Sequence, residues 1–378
     1  MSGDVVELLT QLVAIDSVNP SLVPGAAGER EIAAHVARWA AHAGLHVKVL
    51  QATAGRPSVV VRSPRRGGGR TLLLCAHLDT VGLGGGVTDP LVPRVDGDRL
   101  YARGAYDMKG GLAAALVACR QAARSGLPGE VVVAAVADEE HSSLGVQEVL
   151  GHLRADAAIV TEPTELAVAT AHKGFVWVEI EVLGRAAHGS RPHLGVDAIL
   201  KTGPVLVALT ELNRRLAGRL HPALGAGNLH ASLVTGGLEE STVPDRCTLT
   251  VERRTLPGET VADVEREIAE LLARCRAADP ELVATSRVTL AREPFETPAS
   301  EPLVGTVTRA VGGVLGRQAE VVGVSYWADS AFLSAAGIPT VLFGPAGDGA
   351  HAEVEWVSLA ATVACAEALT AVATAFCG

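Results

Sequence analysis

Thr71-Leu72-Leu73-Leu74-Cys75-Ala76-His77-Leu78-Asp79-Thr80-Val81 opens as an unbroken apolar run and closes on an imidazole and a carboxylate. A short run with apolar side chains on both faces is a strand covered on both sides. The design repeats downstream. Val131 to Ala137 is nearly all apolar and runs into Asp138-Glu139-Glu140, and Ala157 to Thr161 runs into Glu162-Pro163-Thr164. Helical patterns alternate with these runs. Gly28 to Ala43 carries Ile32, Val36 and Trp39 on one face, and Gly110 to Ala123 is Ala-rich. Shorter β-branched runs occupy Val47 to Leu50 and Ser58 to Arg62. Buried strands alternating with helices predict an α/β domain with a mostly parallel sheet covered by helices.

The pattern changes near Lys173. Val176-Trp177-Val178-Glu179-Ile180-Glu181-Val182 alternates strictly, with the β-branched residues on one face and Glu179 and Glu181 on the other. That is the signature of an antiparallel sheet with one wet face. Two more alternating strands are expected near Leu229 to Val234 and Cys247 to Arg253, with helices over about Val196 to Arg219 and Thr260 to Arg274. In the second helix Thr260 and Asp263 have the spacing of a capping box. We therefore expect a two-layer α+β domain over residues 174–290, inserted into an α/β domain formed by 1–173 and 291–378. Strands at Ala319 to Val324 and Thr340 to Phe343 resume the first rhythm.

Composition narrows the function. Lys+Arg 32 against Asp+Glu 42 gives a formal charge of -10, the wrong sign for a nucleic-acid-binding surface. The acidic start, Ser2-Gly3-Asp4, lacks the basic region of an export signal. The most apolar long stretch, Ser358 to Phe376, carries Glu367 in its middle and reads as a core helix, not a membrane span. The six cysteines are scattered with no C-x-x-C pair, which suits reduced thiols in a cytoplasmic protein.

In open α/β sheets, ligands bind beyond the carboxyl ends of the strands. His77, Asp79, Glu139, Glu140 and Glu162 are all set there, and Asp107 precedes a helix in Arg103-Gly104-Ala105-Tyr106-Asp107-Met108-Lys109-Gly110-Gly111. Singly, each has an ordinary reading: a structural histidine, a solvated acid pair, a helix N-cap. Together they place carboxylates three times over where a hydrophobic strand has just ended. Such charges repel unless a cation neutralises them. Imidazole and carboxylate without thiolate suits zinc, with cobalt or manganese as substitutes.

These segments, with the late Gly349-Ala350-His351-Ala352, resemble the M20 metallohydrolases over essentially the whole chain. That family includes acetylornithine deacetylase, succinyl-diaminopimelate desuccinylase, aminoacylase and glutamate carboxypeptidase. The resemblance implies a zinc-peptidase-like catalytic domain and an inserted lid domain used for dimerisation. It implies two zinc ions, with Asp107 bridging, His77 and Glu162 completing one site, and Glu140 and His351 the other. Glu139 would be the general base, and Asp79 would orient His77 through its second ring nitrogen. In the inserted domain, Gly184-Arg185-Ala186-Ala187-His188-Gly189-Ser190 resembles the segment whose histidine stabilises an oxyanion, often from a partner subunit. Arg254, in Glu252-Arg253-Arg254-Thr255, matches an arginine that grips a substrate carboxylate. Where many members carry Asn-Val-Ile-Pro, this chain has Ser241-Thr242-Val243-Pro244.

The expected function is hydrolysis of an N-acyl amino acid amide, with dipeptidase or carboxypeptidase activity as the alternative. A homodimer is expected, its lids paired edge to edge along Val176 to Val182. A serine hydrolase is disfavoured, since Gly323-Val324-Ser325-Tyr326-Trp327 lacks the final glycine of G-x-S-x-G. The run Gly82-Leu83-Gly84-Gly85-Gly86 fails as a dinucleotide fingerprint and reads as a loop beside the site. A metal-free binding homologue would have lost a ligand or the base, and this chain keeps them all.

Overall fold

Three parallel strands set the level of everything else. In the computed structural model, which describes residues 2–84 and 89–378, Thr71–His77 is buried along its whole length. It pairs in parallel with Glu130–Val136 on one side and Ala157–Val160 on the other. The register sets His77 opposite Val136 and Cys75 opposite Val160, so all three strands stop at one edge of the sheet. Thr340–Leu342 extends the parallel set beside Ala157–Val160. Outside these four strands the pairing is antiparallel: His46–Leu50 with Ser58–Arg62, Ser58–Arg62 with Glu130–Val136, and Leu342 with Ala169 of the strand Val168–His172. The expected α/β sheet is thus mixed, its parallel part confined to the centre. The glycine run from Gly82 falls in part outside the described residues, which omit 85–88.

The chain divides into two compact units. The first comprises Met1–Thr170, Thr297–Val322 and Ala328–Gly378; the second comprises Ala171–Glu296 and Gly323–Trp327. In the first, the helices Ser2–Val13, Gly110–Ser125, Pro302–Leu315 and Leu359–Cys377 bury Leu8, Leu116, Val307 and Leu369 in one core with the strands. Leu359–Cys377 is long and apolar enough to cross a membrane. Cys365, Ala366, Leu369, Val372 and Ala373 on it are fully buried in that core, as expected of a core helix. The six cysteines are buried and unpaired.

The second unit is a four-stranded antiparallel sheet backed by the helices Ala198–Leu216 and Val261–Ala278. Val176, Val178, Ile180 and Val182 face those helices, and Thr260 and Asp263 form the capping box reciprocally. One expectation is corrected here. The strand Gly174–Leu183 is not an edge: it pairs with Arg246–Thr255 on one side and Val283–Arg292 on the other, so its backbone groups are satisfied within the sheet. The edges are Val283–Arg292 and Asn228–Gly236. Residues 323–327 pack with this unit because the Trp327 indole donates to the Glu293 carbonyl at 3.1 Å and meets Phe175 edge-on at 6.3 Å.

One glycine fixes the approach of helix to strand. A Cβ on Gly111 would lie 1.9 Å from the carbonyl oxygen of Thr161, the residue before Glu162. The helix Gly110–Ser125 therefore starts in backbone contact with the strand end. We predict that Gly111→Ala destabilises the protein by about 1–3 kcal/mol through overpacking, while Gly3→Ala, with no atom of the described residues near its Cβ, costs nothing. Thermal unfolding of the two variants is the check, and equal melting temperatures would show that the contact yields.

Candidate metal centre

The strand ends deliver their side chains to one pocket of the first unit. His77 terminates the central strand, Glu139 and Glu140 follow Glu130–Val136 by a short turn, and Glu162 follows Ala157–Val160. Asp107 enters from the turn Ala105–Lys109, just after Gly104 in the left-handed region (φ 75°). His351 arrives from the late segment, also left-handed at φ 62°.

Asp107 sits between two imidazoles. Its Oδ1 is 3.1 Å from His77 Nε2 and its Oδ2 is 3.3 Å from His351 Nε2. His77 Nε2 also lies 3.8 Å from Glu162 Oε1, and His351 Nε2 lies 3.0 Å from Glu140 Oε2. Ligating atoms of His77, Glu139 and Glu162 fall within 4.8 Å of one another, as do those of His77, Asp107 and Glu140. The first unit thus brings together His77, Asp79, Asp107, Glu139, Glu140, Glu162 and His351.

Electrostatics mark the same atoms. Burial pushes the Glu139 and Glu162 carboxyls well above the usual range, and neighbouring acids add to it, Glu162 and Glu140 for the first and Asp107 and Glu140 for the second. Burial would also raise Asp107, but hydrogen bonds to His351 and His77 hold it well below the carboxylate range. Hydrogen bonds accepted by Asp107 and Glu140 lift the His351 imidazole to about 10. Two imidazoles cannot neutralise four acids, and Glu140 Oε1 is buried with no hydrogen-bond partner among the described residues. A donor set of nitrogen and oxygen around uncompensated buried charge fits divalent cations. His77 is already in the tautomer such an ion requires. Its Nδ1 donates to the Asp79 carbonyl oxygen at 2.9 Å, which leaves Nε2 to ligate.

Asp79 does more than the sequence indicated, and by another route. Its carboxylate is 3.8 Å from His77 Nδ1, beyond hydrogen-bond reach. It accepts instead the backbone N–H groups of Glu139 and Glu140, at 3.1 and 3.2 Å, and the Asn19 amide at 2.8 Å. The side chain thus aims the acid pair while its backbone aims the histidine. Asn19 also donates to Asp138 Oδ1 at 3.0 Å, and Arg56 donates to Asp138 at 2.8 Å and to both oxygens of Glu29. Asn19, Glu29, Arg56 and Asp138 were not legible as site residues. Only Asp138 adjoins a motif, and the others are isolated polar residues far away in sequence.

His188 and Arg254 belong to the second unit. His188 is exposed and pairs across a short ladder with Thr242. Its Nδ1 accepts the Ser190 backbone N–H at 3.2 Å, so Nε2 carries the proton. Arg254 lies 5.2 Å above the Phe175 ring, and its Nε donates to Glu252 at 2.6 Å.

Comparison with known proteins agrees with this architecture. Residues 73–375 match the model of peptidase family M20/M25/M40. The chain is 31% identical to the acetylornithine deacetylase of Myxococcus xanthus over 329 residues, which covers 85% of this chain and 84% of that one. It is 28% identical to the acetylornithine deacetylase of Proteus mirabilis (strain HI4320), covering 94% and 92%. Among solved structures, an aminopeptidase from Bacillus cereus ATCC 10987 superimposes with a TM-score of 0.82 at 19% identity, over 99% of this chain and 98% of that one. An M20 family dinuclear metal-binding peptidase from Bacillus subtilis gives 0.76 at 15% identity, over 100% and 98%. The chain belongs to peptidase family M20/M25/M40 and is a metal-dependent hydrolase.

Proposed function

We propose that the protein is a two-metal deacylase that cleaves the amide bond of N-acyl amino acids. The observation that carries this reading is Asp107, whose two oxygens each face a different imidazole. One ion would be held by His77, Asp107 and Glu162, the other by Asp107, Glu140 and His351. When bound, the ions supply Lewis acidity to the scissile carbonyl and the attacking water. Zinc is the proposed metal, with cobalt or manganese as substitutes. Glu139 takes the water's proton and passes it to the departing nitrogen. The Asp79 carboxylate keeps Glu139 and Glu140 aimed differently by holding both of their backbone N–H groups. A reducing, cytoplasmic setting suits six unpaired buried thiols.

The acyl amino acid class is supported by the deacetylases among the relatives at 28–31% identity. Dipeptidase or carboxypeptidase activity is the second reading. Ser241 stands where many members carry a substrate-binding asparagine, which leaves the substrate class open between the two. Arg254 would bind the substrate carboxylate. A panel of N-acyl amino acids and dipeptides assayed with zinc-loaded protein separates the two.

The second unit, which contains the inserted stretch 174–290 expected from the sequence, would serve as lid and dimerisation domain. We assign the interface to the edge Asn228–Gly236, where Leu233 and Val234 are each 66% exposed. The helix Ala198–Leu216 extends this apolar surface through Ile199, Leu200 and Val207. The protonated Nε2 of His188 would then donate to the oxyanion in the partner's site.

Three outcomes are expected. Exhaustive chelation abolishes activity and cobalt restores it; full activity with no metal by elemental analysis excludes the two-ion reading. Glu139→Gln loses turnover and keeps its metal, whereas Glu140→Gln loses occupancy of one site; the reverse pattern would exchange the two roles. His188→Ala loses about 100- to 1,000-fold in turnover, and mixing it with Glu139→Gln restores partial activity through one intact composite site. A mixture that stays inactive after verified subunit exchange would place the histidine in its own chain's site.

A further inference from the structure

We propose that Glu355 is the positioning residue of the centre: it fixes the turn that presents Asp107 and locks that turn to the segment that presents His351. Glu355 is 4% exposed. Each oxygen accepts two hydrogen bonds. Oε1 takes the backbone N–H of Tyr106 at 2.9 Å and of Asp107 itself at 3.0 Å. Oε2 takes the backbone N–H of Gly104 at 2.8 Å and Arg103 Nη1 at 2.9 Å. The second arm of the same guanidinium donates to the Ala352 carbonyl at 2.7 Å, one residue beyond His351.

The consequence for the site is geometric. The turn Ala105–Lys109 has non-helical torsions at Asp107 and Met108, so regular structure does not orient the Asp107 carboxylate there. One carboxylate supplies the partners for three backbone donors, those of Gly104, Tyr106 and Asp107, and it lies four residues from His351. Asp107 and His351 are 3.3 Å apart at their polar atoms. The Arg103–Glu355 pair therefore closes a ring around them: turn, Glu355, the segment back to His351, and Asp107 again. An ordinary buried ion pair would hold two surfaces together. This one holds the backbone N–H of the residue whose two oxygens must face two histidines at once.

Glutamine is the informative substitute because it has the same size and shape. Its amide group would set N–H against either two backbone N–H groups or an N–H and a guanidinium, and the turn must move away from donors facing donors. This inference rests on the two-ion reading above. The experiment is a cobalt titration of purified protein, followed by calorimetry and by the visible absorption of bound Co2+. Circular dichroism and melting temperature are recorded alongside. We expect Glu355→Gln to stay folded and to bind cobalt about 10- to 100-fold more weakly than the wild type, the range for losing a group that orients a ligand. Glu355→Asp should fall between the two. Wild-type protein that binds no cobalt overturns the two-ion reading and this inference with it. Wild-type protein that binds cobalt, with Glu355→Gln binding equally tightly at a lower melting temperature, overturns only the role of Glu355, which is then a structural plug. If Glu355→Gln does not fold, Arg103→Gln carries the test. It keeps Glu355 and its three backbone bonds but loses the tie to Ala352, so weaker cobalt binding is expected and unchanged binding overturns the proposal.

Discussion

Like charges forced together out of water are the constraint on which the first unit is organised. Glu139, Glu140 and Glu162 converge because three parallel strands in one register stop at one edge, and Asp107 joins them from the turn Ala105–Lys109. Burial and mutual repulsion push the three glutamates toward the protonated form, and the repulsion is larger there than on a surface. The fold tolerates this because positive charge is brought to the same place. His77 and His351 face these acids, and although burial opposes it, the carboxylates they touch raise the His77 imidazole, while hydrogen bonds to Asp107 and Glu140 raise that of His351. The rest of the unit keeps these groups from relaxing away. Glycine lets a helix start against the Glu162 strand end, and Asp79 and Glu355 pin the turns by their backbone N–H groups.

A second layer of buried charge supports the first. Arg56 is nearly inaccessible, joins Glu29 and Asp138, and shares Asp138 with Asn19. Asp138 has φ 69°, unusual for a residue with a side chain, and its carbonyl accepts the N–H groups of Ser142 and Ser143. Breaking a buried pair by removing one partner typically costs about 3–5 kcal/mol. The network is thus a rigid backing for the Glu139-Glu140 turn, and it reaches through Asn19 to the carboxylate of Asp79.

The sequence was most legible where a physical pattern is local. Strand ends could be read because an apolar run stops abruptly at His77, Asp138 and Glu162, and the helix at Thr260 because its cap lies within three residues. Alternation along Val176 to Val182 identified the buried face correctly, because a side chain's face depends only on its own strand. It could not tell edge from centre, which depends on partners 65 to 115 residues away, and there the expectation failed. Glu29, Arg56 and Glu355 were illegible for the same reason. A lone charged residue has no pattern, and its partner is known only once the chain has folded.

The proposed ligands of the centre are drawn from segments as far apart in the chain as His77 and His351, and the last lies just before the helix Leu359–Cys377, which is embedded in the core. An unfolded chain offers no such cluster, so a cation captured there binds the native state alone. Occupancy and conformational stability are therefore one equilibrium seen from two sides. At a free ion concentration about one hundred times the dissociation constant, each ion would add roughly 2.7 kcal/mol to the unfolding free energy. The availability of metal around the protein would then set not only how fast it turns over substrate but how long the chain survives.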